Sequence, residues 1–154
     1  MAKFLKRYRL VIVLSLLAIN HPLNATPVQT VIHFGKNQTS KMWVGQLSPK
    51  QDSLLYQFKA SKNQYATLVL MPRRGYAEFA NVGVIISPTG NVDGGKGGIV
   101  YQGCLPQSGN YTIRIARNLM ASNGAAAAGF VAKLTILPVG KSQQNVLKVA
   151  NFYH

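Results

Sequence analysis

Few residues in this sequence could carry out chemistry, and their spacing does not suit catalysis. Three acids, Asp52, Glu78 and Asp93, stand against 17 Lys and Arg, and nothing in their spacing pairs them as a catalytic acid and base. His33 lies in a predicted strand, where we expect it to face solvent, and His154 is the last residue. Neither has a spacing typical of zinc ligands. We therefore predict a protein that is not an enzyme, with no catalytic residue, metal or cofactor.

Two segments come close to catalytic motifs without matching them. The run from Gly90 to Gly97, GNVDGGKG, approaches the phosphate-binding loop G-x-x-x-x-G-K-[ST]. Its last position is glycine, so the hydroxyl that would bind Mg²⁺ is missing. Ser108 stands in QSGN, which is not the G-x-S-x-G nucleophile elbow. We interpret the glycine-rich run up to Gly98 as a mobile hairpin loop.

The sequence contains a single cysteine, Cys104, which excludes an intramolecular disulfide. In an oxidising compartment an unpaired cysteine indicates a buried thiol or, less often, an intermolecular bridge. We expect the thiol to be buried.

The N-terminal 25 residues are typical of a cleaved secretory signal. Four basic residues precede an apolar run of ten, residues 10–19, which is too short for a membrane-spanning helix of about 20 residues. The alternative is an uncleaved N-terminal anchor. We predict a signal peptide at 1–25, one domain at 26–140 and a C-terminal tail at 141–154. The mature chain would be periplasmic or secreted and would not span a membrane.

The formal net charge is +14, and loss of the four basic residues in the signal would leave +10. Such a balance favours anionic partners, and the alternative is a basic protein that its charge keeps soluble. After the signal the only adjacent basic pair is Arg73 and Arg74. Because the basic residues do not cluster and the chain is predicted to be exported, we expect no nucleic-acid partner.

Alternating hydrophobic residues between turn signals predict an all-β fold, a single antiparallel β-sandwich of about eight short strands. Asn63 is expected to form a hairpin turn with Lys62, because asparagine tolerates a positive φ. One predicted strand lies in the segment from Leu105 to Arg117. The others precede or follow it along the chain; they are Val28–Phe34, Met42–Leu47, Leu54–Ala60, Tyr65–Met71, Val82–Ser87, Ile99–Gln102 and Phe130–Ile136.

The segment from Leu105 to Arg117, LPQSGNYTIRIAR, is predicted to be both a core strand and one wall of a binding surface. Its odd positions, Tyr111, Ile113 and Ile115, share one face and suit the core. Arg114 lies on the opposite face.

The loop that follows the fourth predicted strand carries residue types that are common in interface hot spots. We predict a secondary surface there, and the alternative is that both aromatic rings fold back over the core. Its residues are Arg73, Arg74, Tyr76 and Phe79.

The order of these motifs resembles a known family. The stretches VIHFGKNQTSKMWVGQL, LLYQFKASKNQYATLVL, LPQSGNYTIRI and FVAKLTI are similar to the pre-peptidase C-terminal-like β-sandwich, and more closely to the bacterial periplasmic inhibitors of g-type (goose-type) lysozyme. Shared features include Gly45 at the end of the second strand and L-P-x-S-G-x-Y-x-x-R. The sequence departs from the family at Asn63, where a glycine is usual.

The resemblance implies a non-enzymatic inhibitor that occludes the catalytic cleft of a g-type lysozyme. It implies that the partner is contacted by Tyr56, Ser108 and Arg114, with Arg117 as the alternative arginine. Since Tyr56 shares its phase with Phe58, it could equally be a core ring. The alternative function is a binding module that adheres to peptidoglycan, glycan or an anionic envelope surface.

Overall fold

The computed structural model describes residues 29–120 and 123–140. The predicted signal peptide and the predicted tail therefore lie outside the described residues. Within the described ranges, no helix has the length and apolar character needed to cross a membrane.

Within the described residues, ten strands form two five-stranded sheets, which confirms the predicted all-β sandwich. Sheet A has the order β1-β3-β9-β6-β7, and sheet B has the order β2-β10-β4-β8 with β5 beside β10. Pairing is antiparallel except between β1 and β3 and between β5 and β10. The strands are β1 Gln29–Val31, β2 Ser40–Leu47, β3 Ser53–Ala60, β4 Tyr65–Pro72, β5 Glu78–Phe79, β6 Val82–Ile86, β7 Val92–Lys96, β8 Gly98–Cys104, β9 Gly109–Ala116 and β10 Ala128–Leu137.

The core lies between the two sheets and is built from alternate residues of each strand, as the period-2 patterns predict. Tyr111, Ile113 and Ile115 of β9 are all buried, as expected from their common face. The Tyr111 ring stacks on Phe58 of β3 at a centroid distance of 5.4 Å. On neighbouring strands of sheet B, the Phe130 ring of β10 occupies the space that a side chain at Gly45 of β2 would fill.

The turn before β9 is held by the hydroxyl of Tyr111. This hydroxyl donates to the Gln107 carbonyl at 2.7 Å and accepts from the Gln107 amide at 3.2 Å. The geometry is that of a tyrosine corner, in which a buried tyrosine bonds back to backbone a few residues upstream. Gly109 has φ +148°, and an added Cβ would stand 2.8 Å from Pro88 Cγ. The S-G-x-Y motif thus locks the β8–β9 turn against the β6–β7 turn.

Two local predictions were wrong. The glycine-rich run is not simply a mobile loop, because residues Val92–Lys96 form β7 and pair with β6 throughout. Glycines contribute no alternating side chains, so the strand left no period-2 signal. Cys104 is exposed rather than buried, because it ends β8 on the edge of sheet B.

Other local predictions were correct. Asn63 has the positive φ expected of the hairpin turn, 65°. His33 is exposed, just after the end of β1.

Candidate functional site

The outer face of sheet A presents Arg114 near its centre. Arg114 lies on β9, with Leu55 of β3 on one side and Val84 of β6 on the other. Its side chain is exposed, because neighbouring positions on β9 point into the core. The alternation of this strand therefore places a cation on the solvent side, as the sequence predicts.

A groove of about 660 Å³ runs beside Arg114 along the outer face of sheet A. Its floor includes Val82, Val84 and Ala116, and its lining includes Gly94 and Gly95 of β7. The floor is apolar and half-buried, and Gly94 places no side chain beside Val84, which it pairs with.

The rim of the groove combines charge with exposed apolar side chains. Lys96 and Arg114 are exposed cations, and Asp52 is an exposed anion at the end nearest β3. After β9 the chain turns outward with Leu119 and Met120, and Met120 is 92% exposed. Unpaired cations beside protruding apolar residues suit an anionic group set in a partly apolar surface. We call these five residues together with Val84 the groove surface.

Ser108 is exposed but lies apart from the groove. It precedes Arg114 by six residues, roughly 20 Å along an extended strand. Its hydroxyl accepts a hydrogen bond from the Lys62 amide at 2.9 Å, so it holds the β3–β4 turn. Ser108 and Arg114 thus lie on the same strand segment without forming one cluster.

Tyr56 lies in the core. Its position in phase with Phe58 allowed either a core ring or a partner contact, and the structure places the ring inside. Its ring centroid is 5.3 Å from that of Trp43 and 6.2 Å from that of Phe130. Burial raises the pKa of the Tyr56 hydroxyl, and the Trp43 indole offsets part of that rise. With only 9% of its surface exposed, Tyr56 supports the sheet from inside, and we do not include it in the groove surface.

Arg117 is also internal, in contrast to the partner-contacting role that the resemblance implies. The residue is 2% exposed, and its guanidinium forms an ion pair with Glu78. It also donates to three backbone carbonyls, those of Ser48, Gln51 and Ala126. This cluster, which we call the Arg117 hub, joins the β2–β3 loop and strand β5 to the residues that flank β9 and β10. Arg117 is therefore not available on the surface as described.

The predicted secondary surface lies beside sheet B, and only some of its residues are exposed. Tyr76 folds back over Gly129 and its hydroxyl donates to Gln46, while Arg73 stacks over its ring at 5.3 Å. Phe79 and Arg74 remain exposed. One ring therefore covers sheet B, and the other stays open to solvent.

Sequence reasoning missed most of the groove surface. Leu119 and Met120 follow β9 outside any predicted strand, and two adjacent large apolar residues in such a position indicate an exposed contact. Lys96 was assigned to the glycine-rich loop. No pattern in one sequence places Val84 beside Arg114, because that requires the pairing of β6 with β9. Among the described residues, no group of three or more His, Cys, Asp or Glu could hold a metal ion.

The β-sandwich fold is similar to that of a pre-peptidase C-terminal domain. The pre-peptidase C-terminal domain of collagenase from Bacillus anthracis superposes with a TM-score of 0.50 at 11% identity, over 73% of this chain and 98% of that one.

The structure is also similar to two inhibitors of g-type lysozyme. PliG from Salmonella Typhimurium, a periplasmic lysozyme inhibitor of g-type lysozyme, superposes with a TM-score of 0.56 at 18% identity, over 72% of this chain and 99% of that one. PliG from Aeromonas hydrophila gives a TM-score of 0.57 at 18% identity, over 70% and 95%. At these identities the likeness shows the fold. Comparisons with known protein families and with curated protein sequences find no match.

Proposed function

We propose that this chain is a periplasmic or secreted, non-enzymatic inhibitor of a g-type lysozyme, and that it acts by occluding the catalytic cleft. The observation that carries the proposal is the position of Arg114. It is an exposed arginine near the centre of an outer sheet face, beside two protruding apolar residues. The similarity in fold to inhibitors of g-type lysozyme supports the same function.

The mechanism requires no covalent chemistry. The groove surface meets the substrate cleft of the lysozyme, with Leu119 and Met120 supplying apolar contact. The Arg114 guanidinium meets the carboxylate of the lysozyme's catalytic acid in a charge-assisted pair. Such pairs are roughly twice as strong as neutral hydrogen bonds and are frequently bidentate for arginine. The cleft is then closed to peptidoglycan.

The rigidity of the groove surface favours inhibition by occlusion. Arg114 stands on a strand that is paired on both sides, so little backbone order is lost when a partner binds. The Arg117 hub fixes the chain immediately before Leu119, since the Asn118 amide also bonds to the Phe79 carbonyl at 3.3 Å. Preorganised surfaces bind more tightly because these entropy costs are already met.

The test measures inhibition of a goose-type lysozyme that is digesting cell walls. Arg114→Ala is expected to weaken inhibition at least tenfold, about 1.4 kcal/mol. Arg74→Ala, an exposed arginine away from the groove, is the matched control and should inhibit like the wild type. Ser108→Ala tests whether the contact extends to the β8–β9 turn, as the resemblance implies. Wild-type inhibition by both Arg114→Ala and Ser108→Ala would disprove this placement of the contact.

The alternative function, a module that adheres to the cell wall, is separated by a second assay. The purified protein is mixed with insoluble peptidoglycan and sedimented at high salt. If the protein is an inhibitor, it stays in the supernatant in this assay and still inhibits the lysozyme. Retention on the wall without any inhibition would instead assign the protein to the adhesive class.

A further inference from the structure

The outer face of sheet B carries an exposed apolar surface, distinct from the groove surface on sheet A. Its members are outward-facing residues on four adjacent strands. We call this surface the sheet B face, and its residues are Met42, Val44, Val69, Met71, Ile99, Val131 and Lys133.

The strand register places these side chains in two neighbouring rows. One row crosses three strands and the other crosses all four, so the apolar area is continuous over about 14 Å at the usual strand spacing. The rows are Val44–Val131–Met71 and Met42–Lys133–Val69–Ile99.

The sheet B face is open at both edges. Met42 and Val44 on edge strand β2 are 51% and 56% exposed, and Ile99 on edge strand β8 is 48% exposed. Val131 and Val69, on the two inner strands, are half-buried. Contiguous exposed apolar patches of this kind mark protein or membrane interaction sites.

The charge on the sheet B face itself is positive, and two more cations follow directly after β4. Lys133 stands in the middle of the second row, and Arg73 and Arg74 follow directly after β4. All three acids of the chain are among the described residues, and none lies on this face. Asp52 directly precedes β3 of sheet A, and Glu78 is buried in the Arg117 hub. Asp93 lies on β7 of sheet A, where its charge adds to burial in raising the pKa of Tyr101 on the neighbouring edge strand β8.

The positive charge on an exposed apolar face indicates which kind of partner the sheet B face could bind. A second copy packed face to face would bring like charges together at Lys133 and Arg73. An anionic lipid surface offers the opposite charge at the level of the head groups and apolar contact just below it. Monotopic binding of this kind combines buried apolar area with attraction between basic residues and anionic lipids.

We propose that the sheet B face docks the protein on an anionic lipid membrane. The inference is independent of the inhibitor proposal, because it uses the opposite sheet. Docked in this way, the protein presents the groove surface away from the lipid, toward a partner that approaches from solution.

The test is sedimentation with vesicles of phosphatidylglycerol and phosphatidylcholine, compared with pure phosphatidylcholine. Binding is expected on the anionic vesicles and should fall with added salt. Lys133→Gln should weaken it about fivefold, from the loss of one cation near the surface. The double variant Val44→Thr with Ile99→Thr removes apolar contact while keeping strand-forming residues and should reduce binding at least tenfold.

Matched controls come from the outer face of sheet A. Val31→Thr with Val92→Thr removes two exposed valines of similar exposure, and Lys59→Gln removes one exposed lysine that lies outside the groove surface. These variants should bind vesicles like the wild type. The apolar run at residues 10–19 could itself bind vesicles. The intact mass of each purified protein is therefore measured, and only proteins with the same N terminus are compared.

Several results would overturn the proposal. Equal vesicle binding by the sheet B variants and the sheet A controls would place the contact elsewhere. Equal binding to uncharged vesicles would remove the role of Lys133. A dimer in light scattering that Val44→Thr dissociates would show that a second copy covers the face. Lysozyme inhibition is measured in the same samples and is expected to be unchanged in all of them.

Discussion

Replacing Arg117 by methionine tests whether this arginine is structural. The substitution keeps much of the side-chain volume but removes the ion pair with Glu78 and three hydrogen bonds to backbone carbonyls. The Glu78 carboxylate then stays buried without its cation. Removing one partner of a buried pair costs about 3–5 kcal/mol, because the remaining charge is uncompensated.

The measurement is urea unfolding of the wild type and three variants. Arg117→Met is expected to lower the free energy of unfolding by about 3–5 kcal/mol, or to lower Tm by roughly 10–20 °C for a domain of this size. The double variant with Glu78→Gln should recover about 1–3 kcal/mol, because no charge is then left buried. Arg114→Ala, at an exposed position, should change stability by about 0.5 kcal/mol or less.

Two outcomes would refute the reasoning. One is a free energy of unfolding for Arg117→Met within about 1 kcal/mol of the wild-type value, because loss of a buried ion pair and three hydrogen bonds should cost more than that. The other is a double variant no more stable than Arg117→Met, which would show that the burial of the Glu78 charge is not what costs free energy. The first result would reopen Arg117 as a residue available to a partner.

Three further predictions concern the frame that positions the groove. Tyr111→Phe should cost about 1–3 kcal/mol in urea unfolding, because both Gln107 backbone groups lose their partner; a loss under about 0.5 kcal/mol would contradict the tyrosine corner. Gly109→Ala should cost about 1–3 kcal/mol, because the added Cβ meets Pro88 at 2.8 Å with φ at +148°; a neutral variant in thermal unfolding would show that the turn can shift. Burial raises the Tyr56 pKa above 10.0, so the unfolded state loses its proton first and stability falls as the pH rises above that value. Tyr56→Phe should flatten this alkaline fall in a Tm-against-pH series, and an unchanged slope would exclude Tyr56 as its source.

The sequence predicts the strands well where side chains alternate. Tyr111, Ile113 and Ile115 reveal β9 because each second residue is apolar and the turn before it carries a glycine. The same logic places Arg114 outside, since a strand with one buried face must send its other residues to solvent. The fold class follows from several such strands separated by turns.

The remaining features depend on contacts between distant parts of the chain. Arg117 lies 39 residues from Glu78, and nothing in the sequence near either residue indicates that the two side chains meet. β7 carries almost no side-chain pattern, because Gly94 and Gly95 occupy its centre. The groove exists only because β6 pairs with β9 and β7 with β6, and single-sequence periodicity carries no information on which strands pair.

The central claim is that Arg114 on the outer face of sheet A contacts a g-type lysozyme. It is tested most directly by titration calorimetry of the purified protein with a goose-type lysozyme, comparing Arg114→Ala with Arg74→Ala at one ionic strength. We predict that Arg114→Ala raises Kd at least tenfold, about 1.4 kcal/mol, while Arg74→Ala leaves it unchanged. Equal Kd values for the wild type and both variants, or no binding of the wild type, would contradict the claim.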